Sequence, residues 1–499
     1  MMNIQQLTEL GFIIDRACDI EDEAELKLII ETNQNYINSI SDSKIKSILY
    51  YFLANAWAGL KNIRHNIDST SIWNYEQEET NQQIIYLRKA KQEKGFLSLE
   101  KEYQLSILTN LANIFNHIGR PVCAISLYNQ ALLIDPVFFM AKVNRGVCLL
   151  TYLNLDYDKG HKNIFAILAY NDFKESFTLV EESLKLNHHD REYYLSIKEL
   201  CAFKIEELEQ FFSKDFLREK LLLNKFSLGE SEKEQDYRKW VLNKTLFLNS
   251  INDISSFNIA GHDPLNLPDM ITEIEIGFPK YITYFNQIKQ EFIFNRFLLY
   301  EGINELTENF YDKETSITDD YDYNLYNISI EKVKHSFRGF YSIFDKIAYF
   351  LNDYFILDYN ERSIDFRKIW IKNKCFNSKF DNFDNLTLRG LYLISKDLYF
   401  YKYTEDNTFL EVLEPKAKRI NEIRNYLEHK FIKIKLLDVE NDIDNREEIF
   451  YITEDELYEK TIYLAQLARE AIIYLSLAVH NEERKKDIDN LCLIDLKTK

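Results

Sequence analysis

Apolar positions recur with a helical period over most of the chain. Phe337, Phe340, Tyr341, Phe344, Ile347, Ala348 and Leu351 follow i, i+3, i+4, i+7 spacing, which predicts an amphipathic helix from about Ile330 onward. Leu386 to Leu398 reads as a shorter helix. Pro415 suits a first helical turn and opens a helix through Arg424 to about Lys433. Thr453 and Glu456 form a capping box ahead of a long final helix to about Glu483. The β-branched runs Phe431 to Leu436 and Ile449 to Ile452 leave room for one short strand pair, a small β-hairpin, separated by the acidic Asp438 to Glu448. The expected fold class is all-α.

A second pattern lies upstream. Leu108, Leu111, Ala112, Phe115, Gly119, Ala124, Tyr128, Ala131 and Pro136 alternate large and small residues as two closely crossing helices require. Counted from Leu105, this spacing resembles a tetratricopeptide repeat. Asn144, Gly146 and Leu149 look like the start of a following unit, and Tyr50, Ala54 and Trp57 like a degenerate earlier one. One repeat cannot bury its own faces, so an irregular array is expected, interrupted at Asn66 to Thr80 and Asp156 to Lys162. Pro264, Pro268 and Pro279 cluster with Gly261 and Gly277, a boundary signal. The predicted organisation is a helical-repeat domain over 1–225, a connecting segment over 226–280 and a helical bundle over 281–499. Asp312 to Tyr326 reads as an acidic, mobile loop.

Composition narrows the function classes. Only 12 glycines and six prolines punctuate 499 residues, which favours long helices over turn-rich folds. A net charge of −19 repels nucleic acid and anionic membranes at long range, so any RNA site is a local exception. The six cysteines form no Cys-x-x-Cys pair, which suits neither zinc nor a disulfide framework and points to a reducing cytoplasm. No metal or cofactor is expected. The most membrane-like run, Thr461 to His480, contains Gln466, Arg469 and Glu470, so it reads as a buried helix rather than a span. Phosphate-loop, dinucleotide-binding and zinc-protease motifs are absent.

The residues that carry chemistry run from Arg424 through Asn425 and Glu428 to His429. At about 100° per residue, Arg424 points some 140° away from His429, so one helix cannot aim both at a single phosphate. Two copies facing across a dyad can. An imidazole of ordinary pKa, about 6.5, exchanges protons near neutrality, and a guanidinium neutralises charge building on phosphate oxygens. Asn425 is placed to orient His429 or to hold the phosphate. From spacing alone a plainer reading stays open, an Arg424–Glu428 ion pair on a solvated face with His429 incidental.

In its setting, Arg424 to His429 resembles the Arg-x4-6-His motif of HEPN domains. Ser336 to Ala348 looks like an earlier helix of that bundle, with Asp345 as its inward acidic residue. Phe285 to Arg296 looks like the opening helix of a HEPN subtype that follows tetratricopeptide-like repeats. The resemblance implies a metal-independent endoribonuclease, active as a homodimer through the HEPN domain and of the kind found in toxin and antiviral systems. Arg424 and His429 are then the catalytic pair, with Asn425 as the polar residue following the motif arginine. Asp345, Glu428 and Arg296 are supporting candidates, and Glu291 is a weaker one. Residues 361–435 carry a net +5, which lets Lys372, Lys374, Lys416, Lys418 and Arg419 approach RNA, together with Lys379. Trp370, Phe376, Phe380 and Phe383 offer either stacking surfaces or core. His188, His189 and His262 read as turn residues, His117 and His480 as structural. The repeat half is expected to bind a protein partner or trigger. The competing functions are a non-catalytic interaction scaffold and a nucleotide-sensing module.

Overall fold

Helix packs on neighbouring helix throughout the first of two compact units. The computed structural model describes residues 4–65, 75–186, 191–272, 280–304, 310–318, 324–362, 364–373, 375–398, 414, 417–435, 449–486 and 492–494. The first unit comprises residues 1–221 with 401–415, the second residues 222–400 with 416–499. The described residues form 17 α-helices, and the strands among them are two to five residues long. The chain is all-α in class.

In the first unit, α1 (Ile4–Asp19), α2 (Glu23–Tyr36), α3 (Ser43–Arg64), α4 (Glu78–Gln92), α5 (Lys101–His117), α6 (Pro121–Ile134), α7 (Phe139–Leu155), α8 (Lys159–Leu186) and α9 (Arg191–Phe211) each pack on the next. The short α10 (Lys214–Leu217) follows. The α5–α6 pair shows why the sequence folds this way. Gly119 takes φ +87° just past α5, a conformation that L side chains rarely adopt, and Pro121 supplies the first residue of α6. Ala112, Ala124 and Ala131 are fully buried at the crossing, and the Tyr128 hydroxyl donates to Asn113 Oδ1 at 2.7 Å. At Gly146 an added Cβ would sit 2.9 Å from the Phe173 ring, so α7 and α8 approach closely there. His188 and His189 lie outside the described residues.

The second unit is organised by α11 (Glu232–Asn243), α12 (Lys280–Asn304), α13 (Phe310–Glu314), α14 (Ile328–Tyr354), α15 (Leu386–Leu398), α16 (Ala417–His429) and α17 (Glu454–Glu483). Helices α12 and α14 run antiparallel with backbones in close approach: an added Cβ at Gly302 would meet Val333 at 2.8 Å, and one at Gly339 would meet Asn295 at 2.1 Å. Helix α17 packs on α12, α14 and α15, and Ala465, Ala468, Ala471, Ile472, Ile473 and Tyr474 have no exposed surface. It is long and apolar enough to cross a membrane, but 83% of its apolar window is buried within the protein.

Residues 222–272 belong to this second unit. Buried Arg469 of α17 pairs with buried Asp253 and also donates to the carbonyls of Asn249, at 2.8 Å, and Phe247. Ionic groups without access to water persist only when paired and fully hydrogen-bonded. That requirement fixes the segment to the bundle.

Among the described residues, six short strands accompany the helices. β1 (Met270–Thr272) pairs antiparallel with β6 (Cys492–Ile494), and β2 (Ile371–Lys372) with β3 (Cys375–Phe376) in a small hairpin. The strands expected near 431–436 and 449–452 form as β4 (Phe431–Lys435) and β5 (Ile449–Thr453), but they pair in parallel rather than as a hairpin. The intervening residues 436–448 are long enough for the crossover that parallel pairing needs. Within the acidic stretch, Phe310–Glu314 is helical, and Asn324 bridges Lys435 while the Leu325 N–H donates to Ile434 at 2.8 Å. Within the expected loop, residues 312–314 close this helix, 315–318 carry no regular structure, 319–323 lie outside the described residues, and Asn324 and Leu325 are tied to β4.

Candidate functional site

Helix α16 presents Ala417, Ile420, Ile423 and Leu427 to the bundle, the stripe its sequence spacing dictates, while Lys418, Asn425, Glu428 and His429 are exposed and the other positions half-buried. It packs on α14 and α15. Its polar stripe lies against one face of α14, where Arg338, Tyr341 and Asp345 recur at i, i+3 and i+7. The Arg424 guanidinium sits 5.3 Å from the centre of the Tyr341 ring and donates to Asn425 Oδ1 at 3.1 Å. His429 is the last helical residue. It is exposed and makes no hydrogen bond or ion pair among the described residues. Arg424 and His429 therefore occupy different sides of one helix end, as the angular argument requires.

Asn425, also exposed, holds Arg424 rather than His429. The Arg424–Glu428 ion pair does not form: Glu428 instead faces Arg338, Oε1 to Nε 3.7 Å. Asp345 is half-buried and accepts the Phe366 N–H at 3.2 Å. Burial pushes its carboxyl above the usual carboxylate range, and Asp365 adds to this, while the Phe366 N–H, Arg424 and Lys368 pull the other way. It shapes the field around Arg424 without bonding to it.

The remaining candidates separate. Arg296 is not at the site. It is 2% exposed and donates twice to Asp263, at 2.8 Å each, and to the Leu246 carbonyl at 3.0 Å. Its guanidinium fixes residues 246–263 to α12, because a buried cation in this position must be saturated by acceptors. Glu291 is paired with Lys346 on α14. Arg419 is committed to Glu456 through contacts of 2.7 and 3.0 Å and lies 4.2 Å from the centre of the Phe450 ring, so its charge is already neutralised. Lys418 is 73% exposed in its side chain and 3.9 Å from Glu422; Lys372 is exposed on β2. Lys379 is held by Asp358 and the Ile356 carbonyl. Lys374, Lys416 and Pro415 lie outside the described residues. Trp370 is fully buried against Phe380, ring centres 4.5 Å apart, and Phe376 packs on Tyr392, so these aromatics are core rather than a stacking surface. His262 is exposed beside Asp263.

Two residues of this neighbourhood escaped the sequence reading. Arg338 donates to the Leu427 carbonyl, one of the last-turn acceptors of α16 that no helical N–H reaches. His335 is exposed one turn earlier on α14. The i, i+3, i+7 polar stripe of Arg338, Tyr341 and Asp345 within an apolar helix was the available signal.

Residues 272–482 match the family described as LA2681-like HEPN, which supports placing this segment in the HEPN superfamily. Neither curated proteins nor solved structures gave a match.

Proposed function

We propose that the HEPN-like segment is a metal-independent endoribonuclease that works as a homodimer through Arg424 and His429. The observation that carries this is the helix α16 itself: an unengaged imidazole at its end and, on another side, a guanidinium that lies on an aromatic ring and has a single neutral hydrogen-bond partner. Five N–H donors on one arginine leave capacity for phosphate oxygens. Residues of one copy are turned apart, so the reading needs a second copy to complete the cleft.

In the proposed reaction one imidazole accepts the 2′-hydroxyl proton as O2′ attacks phosphorus. The P–O5′ bond breaks, and the second copy's imidazolium returns a proton to O5′. The products are a 2′,3′-cyclic phosphate and a 5′-hydroxyl. Arg424 from each copy stabilises the charge that accumulates on the non-bridging oxygens. The helix pairs of the first unit, with their tetratricopeptide-like spacing, take a protein partner or trigger and restrain or direct the nuclease. Such a division of labour suits a toxin or antiviral effector.

The test is cleavage of mixed RNA by the full chain in EDTA, with end-group analysis. Cutting that survives chelation, leaves cyclic phosphate and disappears in Arg424→Ala/His429→Ala supports the proposal. Loss of cutting on chelation, or its persistence in the double variant, refutes it.

A further inference from the structure

We infer that the outer face of the β4–β5 sheet, immediately after the motif helix, is a stacking platform for single-stranded RNA, with Phe431 as its base-contacting residue. The inference rests on the ribonuclease reading and adds the substrate class. The parallel register, Phe431 to Ile449 and Lys433 to Tyr451, divides the sheet into two faces. Ile432, Ile434, Phe450 and Ile452 share one of them. Ile434 and Ile452 are each 3% exposed, and Phe450 stacks on Tyr426 of α16 with ring centres 4.8 Å apart. This inner face is the sheet's contribution to the core.

Phe431, Lys433 and Tyr451 lie on the other face. Phe431 is 75% exposed and has no ring contact among the described residues, although it follows His429 by only two positions. The Lys433 ammonium lies 5.7 Å from the centre of the Tyr451 ring. At the far end the face closes, where Lys435 is buried and bridged by Asn324. Its exposed end is Phe431, beside His429 in the chain.

Charge selects the occupant. Residues 430–435 contain the exposed Lys430, the half-buried Lys433 and no acidic residue, in a chain of net −19. An exposed ring between lysines matches the bases and phosphates of an unpaired strand. Duplex RNA hides its base faces and offers nothing for Phe431 to stack on. A strand lying here would run directly to the imidazole.

The experiment measures binding of the full chain to a fluorescent 2′-O-methyl RNA, which lacks the attacking hydroxyl, as single strand and as duplex. Cleavage of the unmodified single strand and sedimentation are followed in parallel. Phe431→Ala weakens single-strand binding about tenfold, and Phe431→Trp restores it. Duplex binding is weak and indifferent to both changes. Lys433→Gln lowers the salt slope by about 0.7. Unchanged single-strand affinity in Phe431→Ala, while the wild type still cuts in an Arg424- and His429-dependent way, overturns the platform alone. Phe431-dependent binding with no cleavage sustains the platform and overturns the ribonuclease reading. A smaller particle in Phe431→Ala with unaltered RNA affinity makes this face a contact between copies and overturns the platform.

Discussion

Replacing Arg338 with Met tests whether the last turn of α16 must be tied down for His429 to act. Met keeps the apolar stem and removes the guanidinium. The bond lost is that from Arg338 to the Leu427 carbonyl. A charged donor to a buried carbonyl contributes roughly 1.5–3 kcal/mol, but this side chain is 32% exposed, so about 1 kcal/mol is the working value. The 3.7 Å approach to Glu428, itself 39% exposed, adds only a few tenths at most, about the value of a solvated pair. An untied terminal turn frays with a free energy near zero. A tie of about 1 kcal/mol then raises its formed fraction from about one half to about 85%, a fivefold change in the equilibrium. A composite site that needs both turns formed loses about threefold in kcat, whereas a site confined to one copy loses less than about twofold. KM stays unchanged, because no substrate contact is removed. Single-turnover cleavage at saturating protein and hydrogen exchange over residues 427–431 read the two effects, and Arg338→Gln, which retains an N–H donor, recovers part of each. Unaltered exchange in Arg338→Met refutes the tie, and faster exchange at constant kcat refutes its relevance to catalysis.

Three further outcomes follow from the same structure. Arg296→Met strands the buried Asp263 carboxylate and costs about 3–5 kcal/mol in urea unfolding while leaving cleavage per folded molecule intact; cleavage lost at unchanged stability would return Arg296 to the site. Asp345 is pushed upward chiefly by burial, so between the ordinary carboxylate value and its raised one the folded state holds the extra proton, and stability falls as pH rises through that window. Asp345→Asn keeps an acceptor for the Phe366 N–H and loses this dependence, so its urea midpoint matches or exceeds wild type at pH 7 and the difference closes toward pH 4; a larger deficit at pH 7 would mean the ionised carboxylate pairs productively with Arg424. Gly146→Ala forces a methyl into the Phe173 ring and lowers thermal stability by about 1–3 kcal/mol, measured calorimetrically, and no loss would show that α7 and α8 can separate without cost.

Local pattern carried much of the fold. The stripe from Phe337 to Leu351 announced α14, Leu386–Leu398 is helical over the span read from sequence, and Thr453 caps α17 by accepting the Glu456 N–H at 3.2 Å. Each rests on interactions within a few residues, which a single chain displays. Pairings across long separations were not legible. The direction of β4 against β5 is a pairing that neither strand's own sequence specifies, and nothing around Arg296, a supporting candidate for the site, announced its partner Asp263, 33 residues earlier. Trp370 and Phe380 have the composition of a stacking surface and of a core alike, and only their burial distinguishes the two.

The same division governs the candidate site. The spacing from Arg424 to His429 alone fixed their opposed directions, because helical geometry assigns an angle to every residue separation. Which neighbours each group meets was a tertiary matter. Tyr341 lies 83 positions before Arg424, and the carbonyl that holds Arg338 belongs to a turn 89 positions later; such partners are set by how helices pack, which no local repeat encodes.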